Sequence, residues 1–291
     1  MTSVAGRDLE LTTGVPPAAR PVLSLRDVHI RDQASGREIV HGISFDLAAG
    51  RVVGIVGESG SGKTLTCRAA LGILPDQLVV SSGSITIDGH DIAGLNVKRW
   101  TELRGATISA VFQDPASYLN PSIQVGPQIA EVIRVKKKVR RREARDQALE
   151  LLRSLQLRRP ESVYSQYPFE LSGGMLQRVL IAAAIAADPR VLIADEATTA
   201  LDVTVQAEIL DLLAELRERT GLALLVVAHD LAVVAQVCDE VLVMRQGDVV
   251  EHGTTADVLY RPQHDYTRLL IAEHEQYGLE RFLDSPRKER A

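Results

Sequence analysis

The strongest chemical pattern in the sequence is a glycine-rich segment, residues 57–64, with the spacing G-x-x-x-x-G-K-[ST]. An apolar run, residues 52–56, precedes it, and residues 65–74 have helical character, which is the context in which this pattern binds phosphate rather than forming an empty turn. Lys63 is suited to neutralise phosphate charge and Thr64 to ligate Mg²⁺. The loop amides and the following helix add positive ends of dipoles. The predicted phosphate-binding residues are Gly57, Glu58, Ser59, Gly60, Ser61, Gly62, Lys63 and Thr64.

A second pattern is a pair of acids, Asp195 and Glu196, directly after the apolar run 191–194. Charges at the end of a buried strand are costly unless they are paired or used. We expect Asp195 to hold Mg²⁺ through its water shell and Glu196 to act as the general base for an attacking water. The alternative is a strand end with two solvated acids, and the phosphate loop upstream makes it the weaker interpretation.

The elements that must position these residues follow from hydrophobic periodicity. Apolar and polar residues alternate in segments 22–30 and 42–47, which predicts strands of an antiparallel sheet. Segments 52–56, 191–194 and 223–228 are short and continuously apolar, as in buried parallel strands. Strands and helices that alternate around a glycine loop predict a parallel α/β core with an N-terminal antiparallel β subdomain.

A helical insertion is predicted at about residues 113–180, where the pattern changes. Residues 143–157 carry apolar side chains at helical spacing, and residues 175–187 predict a second helix that ends at Asp188-Pro189. Further strands are predicted at 84–87 and 107–112, and a hairpin is predicted around Gln246-Gly247.

Composition narrows the classes of function. The chain has 291 residues and a net charge of −5, which argues against a general polyanion binder. Its two cysteines, Cys67 and Cys238, show no metal-ligand spacing. No stretch reaches the roughly 18 apolar residues of a membrane span. The basic run 134–145 has no interleaved aromatic residues, so we interpret it as a solvated face rather than a nucleic-acid site, with lipid headgroups as the alternative.

The segment 171–177, LSGGMLQ, resembles the LSGGQ-type signature of ABC transporter ATPases. This resemblance implies a P-loop NTPase (RecA-like) core and coupled ATP hydrolysis. It also implies that Ser172, Gly173 and Gly174 contact the γ-phosphate held by an opposite subunit. Ser172 is suited to cap a helix, and a free helix N-terminus binds anions.

Three further positions resemble motifs of that family. Gln113 resembles the Q-loop glutamine, which is a Mg²⁺ ligand and a link to the membrane subunit. Asp202 resembles the D-loop aspartate, and His229 the switch histidine near the γ-phosphate. The resemblance runs from about residue 22 to residue 270.

Within the family, segments 112–115, 119–121, 198–204 and 261–268 are similar to the dipeptide/oligopeptide/nickel importer ATPases. The strings 40–42, 65–67, 72–75 and 167–170 look closest to the nickel and metallophore branch. Two departures stand out. Ala197 replaces the usual proline after the catalytic glutamate, and no aromatic residue follows the first strand to stack on adenine.

The resemblance implies a head-to-tail pair with a second, different ATPase subunit, two membrane permeases and an extracytoplasmic solute-binding protein. The expected location is peripheral, on the cytoplasmic face of the inner membrane, and no nucleic-acid partner is expected. The expected organisation is a flexible leader at 1–21, an ATPase domain at 22–255 and a C-terminal extension at 256–291.

Two other functions are alternatives to that of a transporter ATPase. One is a soluble ABC ATPase of nucleic-acid repair or translation, which is disfavoured because the sequence lacks a long coiled-coil or zinc insertion and a second phosphate loop. The other is a regulatory subunit that does not hydrolyse ATP. The intact Lys63, Asp195, Glu196 and His229 argue against that function.

Overall fold

The computed structural model describes residues 20–112, 118–196, 203–229 and 231–275. The strands in these residues are β1 Pro21–Asp32, β2 Glu38–Ala48, β3 Val52–Val56, β4 Leu78–Ile87, β5 His90–Asp91, β6 Ile108–Val111, β7 Val191–Asp195, β8 Ala223–Ala228, β9 Glu240–Arg245 and β10 Asp248–Thr254. The helices are α1 Lys63–Ala70, α2 Val97–Leu103, α3 Val125–Lys137, α4 Arg141–Ser154, α5 Pro160–Tyr164, α6 Gly173–Ile185, α7 Val203–Thr220, α8 Leu231–Val237, α9 Thr255–Tyr260 and α10 Asp265–Glu275. A 3-10 turn spans Pro168–Glu170.

The N-terminal sheet has the order β2-β1-β4-β5, and its neighbouring strands run antiparallel. In β2 the apolar side chains of Val40, Ile43, Phe45 and Leu47 are buried, whereas most polar residues between them stay accessible. The buried residues of this sheet pack in one core with those from one face of the central sheet. The predicted antiparallel β subdomain is therefore confirmed.

The central sheet has the order β10-β9-β3-β8-β7-β6. Strands β9, β3, β8, β7 and β6 run parallel to one another, and β10 pairs antiparallel with β9. Every residue of β3, β7 and β8 is buried, because the N-terminal sheet and the helices cover both faces. Because β3, β8, β7 and β6 run parallel, their carboxyl ends lie side by side along one edge of the sheet.

Helices α3 to α6 lie between β6 and β7 in the chain, where the helical insertion is predicted. α4 and α6 begin two residues earlier than the predicted segments and turn their apolar residues into one shared core. α3 was not predicted, because its basic last turn obscures the helical spacing of its buried Val125, Ile129 and Ile133. The subdomain and domain boundaries themselves stay a prediction.

The basic run is in part structural. Lys136 Nζ donates to the carbonyl oxygens of Thr101 and Arg104, each at 2.5 Å, which ties the end of α3 to α2. Lys137 pairs with Asp188 at 2.6 Å, in the turn that follows α6. The arginines at 140–142 and 145 are exposed, as expected of a solvated face. Two lysines of the run therefore fix the helical segment to its surroundings.

Candidate functional site

The phosphate loop joins β3 to α1 and is held against the end of β9. Gly57 has φ 151°, and a Cβ atom at this position would lie 2.0 Å from the carbonyl oxygen of Met244. Gly62 has φ 104° at the cap of α1, where a Cβ atom would lie 2.9 Å from Val40 Cγ2. Both the backbone angle and the close packing therefore require glycine at these two positions.

The ammonium group of Lys63 lies inside the loop. Its Nζ donates to the carbonyl oxygens of Gly57, at 2.7 Å, and Glu58, at 2.9 Å, and the residue is 4% exposed. Burial lowers the pKa of Lys63, and the carboxylates of Glu196 and Asp195 oppose that shift. A buried cation whose hydrogen bonds go to neutral carbonyl groups is suited to attract phosphate oxygens.

Asp195 is the last residue of β7 and faces Thr64 across the site. Its Oδ1 accepts a hydrogen bond from Thr64 Oγ1 at 3.2 Å, and the residue is 4% exposed. Burial raises the pKa of Asp195; the hydrogen bond from Thr64 opposes this rise, and the nearby Glu196 adds to it. A hydroxyl and a buried carboxylate form a pair of hard oxygen donors, so these two residues could hold a divalent cation.

Glu196 follows β7 with a left-handed backbone, φ 49°. Its N–H donates to the carbonyl oxygen of Val227 in β8 at 3.0 Å, which fixes this turn to the neighbouring strand. A non-glycine residue at positive φ is uncommon, and such strain is concentrated at functional sites. The turn places Glu196 directly beyond Asp195 at the edge of the sheet.

His229 directly follows β8, between the phosphate loop beyond β3 and the acids beyond β7, and is exposed. The structure thus brings residues 57–64, the two acids and His229 to adjacent positions along one edge. Gln113 and Asp202, and also Ala197, lie outside the described residues. Their predicted roles stay predictions.

The signature-like segment begins α6. Ser172 is the N-cap of this helix, and its Oγ accepts the N–H of Met175 at 3.4 Å. A Cβ atom on Gly174 would lie 2.9 Å from Val205 Cγ1, so the start of α6 packs closely on α7. Ser172 and Gly173 are exposed. Within the described residues, no hydrogen bond or ion pair joins residues 172–174 to residues 57–64, so this segment is separate from the loop of its own chain.

One contact to the loop was missed by sequence reasoning. The hydroxyl of Tyr266, in α10, accepts the N–H of Glu58 at 3.0 Å. Tyr266 falls in the string 261–268, which resembles a family segment but carries no recognisable chemical pattern. Only the fold places this tyrosine beside the loop.

The described part of the chain contains no group of three or more His, Cys, Asp or Glu residues placed to hold a metal ion. No helix among the described residues is both long and apolar enough to span a bilayer.

Comparison with known proteins gives consistent results. The sequence profile of the ABC transporter family matches residues 40–199. The probable D,D-dipeptide transport ATP-binding protein DdpD of Escherichia coli is 42% identical over 91% of this chain and 81% of its own length. The dipeptide transport ATP-binding protein DppD of Bacillus subtilis is 43% identical, over 86% and 76% respectively.

Solved structures show the same fold. The ATP-binding cassette MJ0796, in a dimeric post-hydrolysis state bound to ADP and Pi, superposes with a TM-score of 0.70 at 28% identity over 80% of this chain and 98% of that one. CbiO1 from Clostridium perfringens, part of the transporter complex cbiONQ, gives a TM-score of 0.73 at 27% identity over 90% and 97%.

Proposed function

This chain belongs to the ABC transporter family as an ATP-binding and ATP-hydrolysing subunit, and from that membership we propose that it powers the import of peptides. The relatives named above are a D,D-dipeptide and a dipeptide transport ATP-binding protein, and the oligopeptide transport ATP-binding protein OppD of Salmonella typhimurium is 41% identical over 89% of this chain and 77% of its own length. Short peptides are therefore the favoured solute. The nickel and metallophore alternative rests on short strings, several of which flank the phosphate loop and the signature-like segment.

The observation that carries the ATP-driven part of this proposal is that Lys63, Asp195 and Glu196 lie along one edge of the parallel sheet, beyond β3 and at the end of β7, with β8 between these two strands. In this arrangement the loop amides and Lys63 bind the β- and γ-phosphates of ATP. Glu196 accepts a proton from the attacking water as the oxygen of that water adds to the γ-phosphorus, and ADP leaves. His229 follows β8, which lies between β3 and β7, and contacts the γ-phosphate.

The residues present fit a magnesium ion. Thr64 Oγ1 and Asp195 Oδ1 are 3.2 Å apart, and a cation would offset the cost of burying the aspartate. We propose that Thr64, Gln113 and Asp195 hold this ion, with Asp195 acting through water. When bound, it supplies positive charge that neutralises the phosphate oxygens.

The working unit that we propose contains two ATPase subunits arranged head to tail. Each nucleotide then lies between the phosphate loop of one subunit and residues 172–174 of the other, with Asp202 at the same interface. The exposure of Ser172 and its separation from the loop of its own chain support this arrangement. The second ATPase subunit is a different chain, and two permeases, an extracytoplasmic solute-binding protein and a peripheral position on the cytoplasmic face of the inner membrane complete the proposal.

A reconstitution experiment tests the proposed solute. The chain is copurified with its partner ATPase and permeases, inserted into liposomes with the binding protein, and supplied with ATP and either labelled dipeptides and tripeptides or nickel. We expect uptake of peptides that is lost in Lys63→Ala. Uptake of nickel or a metallophore without any peptide uptake would contradict the peptide proposal and leave the ATPase assignment intact.

A further inference from the structure

Helix α10, the last helix among the described residues, contacts the phosphate loop through one side chain. The Tyr266 hydroxyl accepts the N–H of Glu58 at 3.0 Å. Tyr266 is 6% exposed, and the guanidinium carbon of Arg245, at the end of β9, lies 4.8 Å from the centroid of its ring. This contact is made by a buried, oriented side chain and not by a mobile surface residue.

The start of α10 is itself anchored. The carboxylate of Glu251, in β10, accepts the N–H groups of Gln263 at 2.8 Å and His264 at 3.0 Å. Burial alone would raise the pKa of Glu251, but the hydrogen bonds to its carboxylate outweigh that effect and lower it. A charged carboxylate therefore holds the segment that enters α10, and with it the position of Tyr266.

Glu58 transmits this contact to the binding site. Its N–H is held by Tyr266, and its carbonyl oxygen accepts Lys63 Nζ at 2.9 Å. Elsewhere the loop is braced by the N–H of Gly247, which donates to the carbonyl oxygen of Ser61 at 3.1 Å. Among the described residues, Tyr266 is the hydrogen-bond acceptor for the Glu58 N–H, so it sets the orientation of a residue that contacts the phosphate-binding lysine.

We propose that Tyr266 is a positioning residue for ATP binding and that α10 belongs to the nucleotide-binding machinery. The proposal rests on the phosphate-binding role of residues 57–64 set out above. Without the hydroxyl, the Glu58 N–H loses a buried partner and the loop samples other conformations. The fraction of loops ready to bind phosphate then falls, and the apparent affinity falls with it.

The test compares Tyr266→Phe with Tyr260→Phe in the full-length chain. Tyr266→Phe keeps the ring and its packing on Arg245 and removes only the hydroxyl, whereas Tyr260 lies in α9 and is 62% exposed. We expect Tyr266→Phe to weaken the binding of fluorescent ATP and ADP by about tenfold and to raise the KM for ATP of the assembled transporter with little change in kcat. Tyr260→Phe should match the unmodified chain.

A purely structural role predicts a different result. Tyr266→Phe would then lower the unfolding temperature of the nucleotide-free chain and leave the affinity of the folded chain unchanged, and this outcome would overturn the proposal. If Lys63→Ala binds ATP normally, the phosphate-loop role itself fails. If Lys63→Ala loses binding while Tyr266→Phe keeps it, only the positioning role fails.

Hydrogen exchange of the Glu58 amide gives an independent readout. We expect this amide to be protected in the unmodified chain. Fast exchange there would contradict the proposal even if the variant does not fold.

Discussion

Lys63 and Asp195 are both buried, and each has its pKa shifted against its charged form, chiefly by burial. Each of the two charges also reduces the shift on the other, so the site is partly balanced before any nucleotide binds. Polyphosphate supplies a counter-charge for Lys63, and a divalent cation supplies one for Asp195. Because these counter-charges offset the cost of burying the two side chains, they favour binding.

At the residue scale, Glu196→Gln tests the general base. The amide keeps nearly the same shape but cannot accept the proton, so we expect ATP binding to persist and turnover by the assembled transporter to fall by about 10²–10⁴-fold. The measurement is phosphate release alongside nucleotide binding. Near-normal hydrolysis by this variant would refute the assignment of Glu196.

A second prediction at this scale concerns the base of the nucleotide. Among Phe, Tyr and Trp, strands β1 and β2 contain only Phe45, which is 3% exposed and packed in the core, so it is not available to stack on adenine. We therefore expect weak discrimination between ATP and GTP in competition binding to the isolated chain. A nucleotide-bound structure in which an aromatic ring of this chain stacks on adenine would contradict the prediction.

At the scale of elements, the turn between β3 and α1 depends on the close approach of Gly57 to β9. Gly57→Ala forces a methyl group against the Met244 carbonyl, so we expect a loss of about 1–3 kcal/mol in the free energy of unfolding together with weaker ATP binding. Urea denaturation measures the stability. Gly253→Ala is the matched control, since its Cβ would make an ordinary 3.6 Å contact with Val258 Cγ2. Equal stabilities of the two variants would show that the loop adapts.

The start of α6 gives another prediction at this scale. Ser172→Arg places a long cation on an exposed helix N-terminus that has no hydrogen bond to the described loop of its own chain. We expect ATP binding by the isolated chain to be unchanged and ATPase activity of the assembled transporter to fall. Ser162→Arg, exposed on α5, serves as control. If Ser172→Arg loses ATP affinity in isolation as strongly as Lys63→Ala does, the proposed composite site is wrong.

At the scale of the whole molecule, the separation of loop and signature segment predicts that each subunit serves two nucleotides. Lys63→Ala in this chain should remove the nucleotide bound to its own loop and leave the one held by the partner's loop, because residues 172–174 are intact. We expect the assembled complex to retain about half of its bound nucleotide in the presence of a non-hydrolysable ATP analogue. Complete loss or full retention of nucleotide would contradict this division of roles.

The amino-acid sequence by itself determined the local chemistry of the protein. The glycines and Lys63 of the loop, the acids that end β7, and the continuous apolar runs are patterns of neighbouring residues, and neighbours can be identified without a fold. For the same reason the two sheets follow from local patterns. Alternating apolar and polar residues predict the antiparallel sheet, and continuous apolar runs predict the parallel sheet. Helix α3 does not follow from such a pattern, because its basic end obscures the helical spacing of the apolar residues that it buries in the core.

Only the tertiary structure decided what lies across the site. The order of the parallel strands places β8 between β3 and β7, and this order brings His229 and Asp195 to the loop from distant parts of the sequence. The hydrogen bond from Glu58 to Tyr266 joins residues 208 positions apart, and nothing near either residue indicates the other. Contacts of this kind depend on how helices and sheets pack, because burial and backbone hydrogen bonding are satisfied over the whole core at once and not within any one segment.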